Sequence, residues 1–253
     1  MGREFEVVCE IEPPTRPDLR HVRHQIGVLA PVAHAFLIPD NHIGRATVSS
    51  VAVAHEVAAM GGRSIACLNS RDRNLLGFHR DLLTAAAYGV TEFLFVHGDQ
   101  PTAGGRASEL TVRTMIAEAR AMGERDGFAP PRIGVAAGLR KVPAWKREAD
   151  FVFAQMCFDN DTLLRWREEQ CLQQKVYAGV LVLASAGMAR RLAASIPDID
   201  IPESLIDRVA ADPRAGVEAA CAQVAALRES GAFDGVHLVT VSRYREVALT
   251  LEA

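Results

Sequence analysis

Eight apolar segments recur along the chain, each followed by a polar stretch and then an amphipathic helical run. They are Phe5 to Ile11, His34 to Ile38, Arg63 to Leu68, Glu92 to Val96, Arg132 to Ala137, Phe151 to Gln155, Tyr177 to Leu183 and Gly235 to Val241. Strands that alternate with helices imply a parallel sheet with right-handed crossovers. Eight such units in 253 residues match the usual size of a closed (β/α)8 TIM barrel. With 49% hydrophobic residues the chain can bury the core of one such barrel, so residues 1–253 are read as a single catalytic domain. An open doubly wound sheet is the competing architecture. It is weakened because no G-x-G-x-x-G follows the first strand. The stretch from Gly187 to Gly231 is too helical for one crossover. Pro197, Pro202 and Pro213 divide it into about three helices, which places extra helices between strands seven and eight.

Several function classes drop out. Net charge is -3 and no basic block stands out, so nucleic acid is a poor partner. No apolar run approaches the ~20 residues of a membrane span, and the first thirty residues lack the pattern of a signal peptide. Cys9, Cys67, Cys157, Cys171 and Cys221 are scattered and form no C-x-x-C pair, which argues against disulfides and structural zinc. The expected setting is a reducing cytoplasm, with most of the thiols acting as small core residues. His42, His79 and His97 are isolated from any H-E-x-x-H, so no metal is expected.

In a (β/α)8 barrel the active site sits at the C-terminal ends of the strands. Those ends read C-E-I-E-P-P, I-P-D-N-H, L-N-S-R-D-R-N, H-G-D-Q-P and A-Q-M-C-F-D for strands one, two, three, four and six, so polar residues gather at one end. Alternation along the first strand puts Phe5, Val7, Cys9 and Ile11 against the helices and turns Glu6, Val8 and Glu10 inward. A carboxyl group above an apolar floor can serve as a general acid near neutral pH. Glu10 therefore has two readings, an acid in the barrel mouth or the partner of a loop arginine. Asp99, in a Gly-Asp-x-Pro turn, reads as a helix cap or Asx turn, or as a site residue. The Gln155 amide can both give and accept a hydrogen bond, which suits a planar heterocycle or a neighbouring loop. Asp72 reads as the N-cap of the third helix. Arg71 and Arg73 read as anion ligands or as solvated charges.

The strand ends also resemble a known family, the methylenetetrahydrofolate reductases. C-E-I-E-P-P resembles their opening E-F-F-P-P, and I-P-D-N-H-I-G-R-A their D-N-P-x-G-x-x. V-H-G-D-Q-P is similar to R-G-D-x-P or T-G-D-x-P, and A-D-F-V-F-A-Q-M-C-F-D to A-D-F-x-x-T-Q-x-x-F-D. S-R-D-R-N-L-L-G-F-H-R-D-L-L-T-A-A-A-Y-G-V resembles the third βα unit, and G-V-H-L-V-T-V-S-R-Y the last strand. The matches run in order along nearly the whole chain.

The resemblance implies reduction of methylenetetrahydrofolate to methyltetrahydrofolate by NAD(P)H through bound FAD. Carried over, Glu10 is the acid that opens the bridging ring, Asp99 lies between flavin and pterin, and Gln155 bonds the pterin. Asp40, Cys67, Asn69, His97, Gly98, Asp99 and Lys146 fall around the cofactor. The chain departs from the family at several of these positions. Cys67 stands for a histidine, Asn69 for a threonine and His97 for an arginine. A-A-G-L-R-K-V-P replaces A-A-Y-P-E-x-H-P after strand five. Two alternatives follow: direct hydride transfer from NAD(P)H without a flavin, or a non-catalytic folate-binding subunit of a larger complex. The tetrahydrofolate substrate is the expected partner, with a homo-oligomer or partner subunit also open. Apolar positions in Val217 to Leu227 read as core rather than interface.

Overall fold

The computed structural model describes residues 4–252 except Pro101, Pro197 and Asp198. Eight parallel strands close into a barrel in sequence order, and the eighth pairs with the first. They are β1 (Glu6–Glu10), β2 (Ala35–Ile38), β3 (Ser64–Asn69), β4 (Glu92–Val96), β5 (Arg132–Ala137), β6 (Phe151–Met156), β7 (Lys175–Leu181) and β8 (Gly235–Val239). Around them lie α1 (Arg20–Leu29), α2 (Ser50–Ala59), α3 (Leu75–Ala87), α4 (Val112–Asp126), α5 (Asn160–Gln170), α6 (Ala186–Ser195), α7 (Glu203–Ala211), α8 (Arg214–Ser230) and α9 (Tyr244–Glu252). The expected (β/α)8 barrel is therefore present. β5 reaches β6 through a 3-10 turn, Ala144–Glu148, instead of an α-helix.

Two-residue alternation explains the layering. Val7, Cys9 and Ile11 join the large core between strands and helices, whereas Val8 joins the barrel interior with Leu37, Ile65, Cys67, Leu94, Phe153 and Tyr177. Inside, the Phe153 and Tyr177 rings stack 4.9 Å apart and Phe151 meets Tyr177 edge-on. Val217, Ala220, Cys221, Val224 and Leu227 are buried in the outer core, as the core reading of that helix required.

Helix boundaries follow local chemistry. In α3, Phe78, Leu82 and Ala85 recur at helical spacing and are buried. Its N-cap is Asn74, which accepts from Gly77 N, and not Asp72. Asp72 is instead drawn away by Asn41 Nδ2 and Asn69 Nδ2, each at 3.0 Å. Thr111 and Thr114 form a reciprocal capping box on α4. Pro202 and Pro213 stand immediately before α7 and α8. Pro197, the third expected breaker, lies outside the described residues. The inserted helices share a satellite core of Leu181, Leu183, Ile201, Ile206 and Val209, which covers the C-terminal end of β7.

Among the described residues no helix is long and apolar enough to cross a membrane. All five cysteines are free. Cys9, Cys67 and Cys221 are buried as expected, but Cys171 is exposed and Cys157 half-buried, so these two depart from the core reading.

Candidate active site at the barrel mouth

Glu10 closes β1 with its side chain turned inward and largely buried. Its neighbour is an imidazole and not the loop arginine weighed from the sequence. His237 Nε2 lies 3.2 Å from Glu10 Oε2. The two atoms are close enough to pair but are not aligned as a hydrogen bond, and that nitrogen is buried with no hydrogen-bond partner. His237 sits on β8 beside Val8 of β1 and Gly179 of β7. Its ring meets Phe153 edge-on at 5.3 Å. Sequence reasoning passed over this residue. The available signal was its polar side chain at an inward position of G-V-H-L-V.

Gln155 stands at the rim of the same mouth, exposed and without a hydrogen-bond partner among the described residues. Its position comes from a bulge. Phe153 faces Tyr177 and Met156 faces Gly179, so β6 carries one residue more than β7 over this interval. A Cβ on Gly179 would sit 2.6 Å from Met156 N and 2.8 Å from Ala154 O, so glycine alone lets the bulged backbone approach. Gly179→Ala should therefore displace Gln155. We expect about 1–3 kcal/mol of destabilisation from overpacking. We also expect about a tenfold or larger rise in KM for a ligand held by the Gln155 amide. Calorimetry and steady-state kinetics read the two effects. Unchanged values in both would show that the bulge does not set the amide.

Asp99 is exposed at the end of β4 and caps no helix. Its Oδ2 accepts from Ile43 N at 2.8 Å. Gly44 O in turn accepts from Thr102 N and Thr102 Oγ1. The loops after β2 and β4 are thereby tied together across the end of β3. Ile43 has a φ of 58°, a conformation disfavoured for a β-branched residue, and Asp99 holds it there.

The residues expected around a flavin are mostly engaged with one another. Asp40 pairs with Arg73 and accepts from Asn69 N at 2.9 Å and Asn69 Nδ2 at 2.7 Å. Arg73 is buried and also pairs with Asp81, so it is not a solvated charge. Asn69 is fully buried and presses on Gly98, where a Cβ would meet its own Cβ at 2.9 Å. Arg71 Nη1 binds Gly98 O at 3.1 Å. Cys67 is buried, and desolvation aided by the nearby charges of Glu10 and Asp40 pushes its thiol well above the usual range. His97 is exposed, near Ser70 Oγ and Arg106. Lys146 Nζ donates to Ala136 O and lies over the Trp145 ring, and burial lowers its pKa. A flavin needs open donors and a planar bed. Asp40, Asn69 and Gly98 form a closed, internally satisfied cluster, so these three positions offer a flavin no free group.

At the ends of β5 and β6 the mouth opens into a cavity of about 590 Å³, lined by Gln155, Met156, Cys157, Lys146, Arg140 and Lys141 among others. That is large enough for a drug-sized ligand. Among the described residues no group of His, Cys, Asp or Glu is arranged to hold a metal.

Fold and mouth together define a (β/α)8 barrel protein whose strand ends gather an acid, an imidazole and a free amide over an aromatic interior. Residues 140–253 match the model of the methylenetetrahydrofolate reductase family, which bears out over that stretch the resemblance read from the sequence. No curated protein matches the chain. Among solved structures, an uncharacterized protein from Clostridium thermocellum that binds two copies of 5-methyl-5,6,7,8-tetrahydrofolic acid is similar. Its TM-score is 0.65 at 12% identity, over 98% of this chain and 94% of that one. A mutant tryptophan synthase alpha-subunit from Pyrococcus furiosus has a TM-score of 0.56 at 12% identity, over 100% and 98% of the two chains. The Bacillus cereus spore cortex-lytic enzyme SleL has a TM-score of 0.56 at 11% identity, over 98% and 74%. At these identities the likeness shows the shared barrel alone.

Proposed function

We propose that this chain reduces the one-carbon bridge of methylenetetrahydrofolate to the methyl of methyltetrahydrofolate, with NAD(P)H as the source of hydride. The observation that carries the reading is Glu10. It is an inward carboxyl group at the C-terminal end of β1, the same end of the barrel at which the segments after β5 and β6 line a 590 Å³ cavity whose rim holds the uncommitted Gln155 amide. Match and neighbour agree with a folate ligand: the family model covers residues 140–253, and the Clostridium thermocellum protein binds a methylated tetrahydrofolate.

In this reading Gln155 bonds the pterin edge and fixes the ring over the mouth. Protonated Glu10 gives its proton to the bridging amine nitrogen. The carbon–nitrogen bond breaks and leaves an iminium carbon, which accepts the hydride. The aromatic floor of Phe153 and Tyr177 excludes water beneath the reacting atoms. The closed cluster of Asp40, Asn69 and Gly98 favours direct transfer from the nicotinamide over the flavin route implied by the resemblance. The inward acid gives no support to a non-catalytic folate-binding subunit, because binding alone has no need of a proton donor. The five free thiols fit a reducing compartment such as the cytoplasm.

The test is direct. Purified protein given methylenetetrahydrofolate and NADH or NADPH should consume the nicotinamide and yield methyltetrahydrofolate by mass spectrometry, with no added flavin. The protein should be colourless, lacking the band near roughly 450 nm that flavin chemistry brings. Turnover that appears only when FAD is added would restore the flavin route. No turnover with either nicotinamide, with or without FAD, would overturn the function.

A further inference from the structure

Glu10 spends its proton in each turnover and must recover it inside a site that the bound pterin closes from above. The residue placed to return it is His237. Its Nε2 is 3.2 Å from Glu10 Oε2, the side chains are each about 15% exposed, and the nitrogen has no hydrogen-bond partner. A buried polar atom left unpaired costs free energy, so native structures satisfy nearly all of them. This one is aimed at the carboxyl group the proposed reaction uses. Hydrogen bonds of this kind are often loose in an empty site and align once substrate packs down.

The surroundings leave few other sources. Cys67 also lies near Glu10, but burial and the charges of Glu10 and Asp40 keep its thiol protonated. Phe153 meets the imidazole in an edge-to-face contact, and Gly179 beside it on β7 carries no side chain. Asp40 is near the same charges, yet Arg73 and Asn69 hold its carboxylate.

We propose that His237 is a positioning residue that acts through Glu10, holding the carboxyl group toward the substrate and handing back the proton it loses. This rests on the folate-reductase reading above. The step balances as follows. The acid proton goes to the bridging amine nitrogen as its bond to carbon breaks, and hydride from the nicotinamide completes the methyl group. The imidazolium Nε2–H then transfers to the Glu10 carboxylate, and the neutral ring takes a proton from water. No further oxidant or reductant is needed.

The experiment uses the full chain and two variants, with kcat and KM measured separately. His237→Gln keeps polarity and much of the volume but carries no transferable proton. It should lower kcat for folate reduction by about 10- to 100-fold, the range of a lost proton-transfer aid. KM for the folate should move by less than about threefold, because the ring does not bind substrate. His237→Ala should be slower still and should regain turnover as free imidazole is added. A merely structural ring would show its loss in thermal stability and folate affinity, with no imidazole dependence. His237→Gln with wild-type kcat, or an alanine variant that is folded by circular dichroism and unmoved by imidazole, overturns the inference while the folate function stands. A wild-type protein with no folate turnover overturns both together.

Discussion

Replacing Glu10 with Gln should abolish folate reduction, by about 10²- to 10⁴-fold in kcat, while leaving the fold intact. The glutamine is isosteric and can still meet His237 Nε2, so the barrel keeps its packing. What it lacks is the proton. Without protonation the bridging amine is a poor leaving group, the iminium carbon does not form, and hydride has no electrophile to reach. Stability should move little, because Glu10 makes no aligned hydrogen bond in the folded state and sits at the open end of β1. Binding of methyltetrahydrofolate should survive the substitution, since Gln155 is untouched. Folate turnover retained by Glu10→Gln would remove the residue from the mechanism, and lost folate binding would make it a ligand instead of an acid.

The layout of this site was legible to different degrees for physical reasons. Glu10 was readable because a strand obeys a strict two-residue period, so Val7 and Cys9 facing the helices fixed Glu6 and Glu10 inward. Gln155 was readable as the last residue of an apolar run, but its bulge was not. The extra residue of β6 depends on Gly179 two elements away, and no local pattern reveals that contact. His237 could have been found by applying to β8 the alternation applied to β1. It was passed over because one polar residue in an apolar strand carries no spacing signal. The Asp72 cap failed for the opposite reason. Local rules favour Asp ahead of a helix, yet Asn41 from the loop after β2 and Asn69 at the end of β3 outcompeted the backbone for its oxygens. The same competition explains the cofactor residues. Order along the chain placed Asp40, Asn69 and Gly98 together correctly, but it could not show that they would satisfy one another.

At the other end of the barrel, Glu6→Gln should destabilise the protein without touching the chemistry. Glu6 is 8% exposed and points inward one layer below Val8. Its carboxylate accepts from Arg63 Nη2 at 2.7 Å and Tyr177 Oη at 2.9 Å, and from Lys175 Nζ. Burial opposes its ionisation, but those three donors outweigh it and hold the carboxyl down to about 2 from 4.5. A folded-state value below the unfolded one means that the group stabilises the fold above the unfolded value. That contribution is lost as pH falls through the window from about 4.5 to about 2. The shift corresponds to about 3 kcal/mol at neutral pH, with some loss to solvent screening at Lys175 and Arg63, whose side chains are 29% and 34% exposed. Removing the charge also strands Lys175 and half of Arg63 over the barrel floor, and breaking a buried pair in this way costs about 3–5 kcal/mol. In a chain of this size that lowers the melting temperature by about 10 °C. Melting curves of wild type and Glu6→Gln should lie far apart at pH 7 and draw together as pH falls from about 4.5 to about 2, as protonation does to Glu6 what the substitution already did. Folate kcat measured well below both transitions should be unchanged, because Val8 separates this layer from Glu10. Coincident melting curves at pH 7 would show that the floor network contributes no net stability.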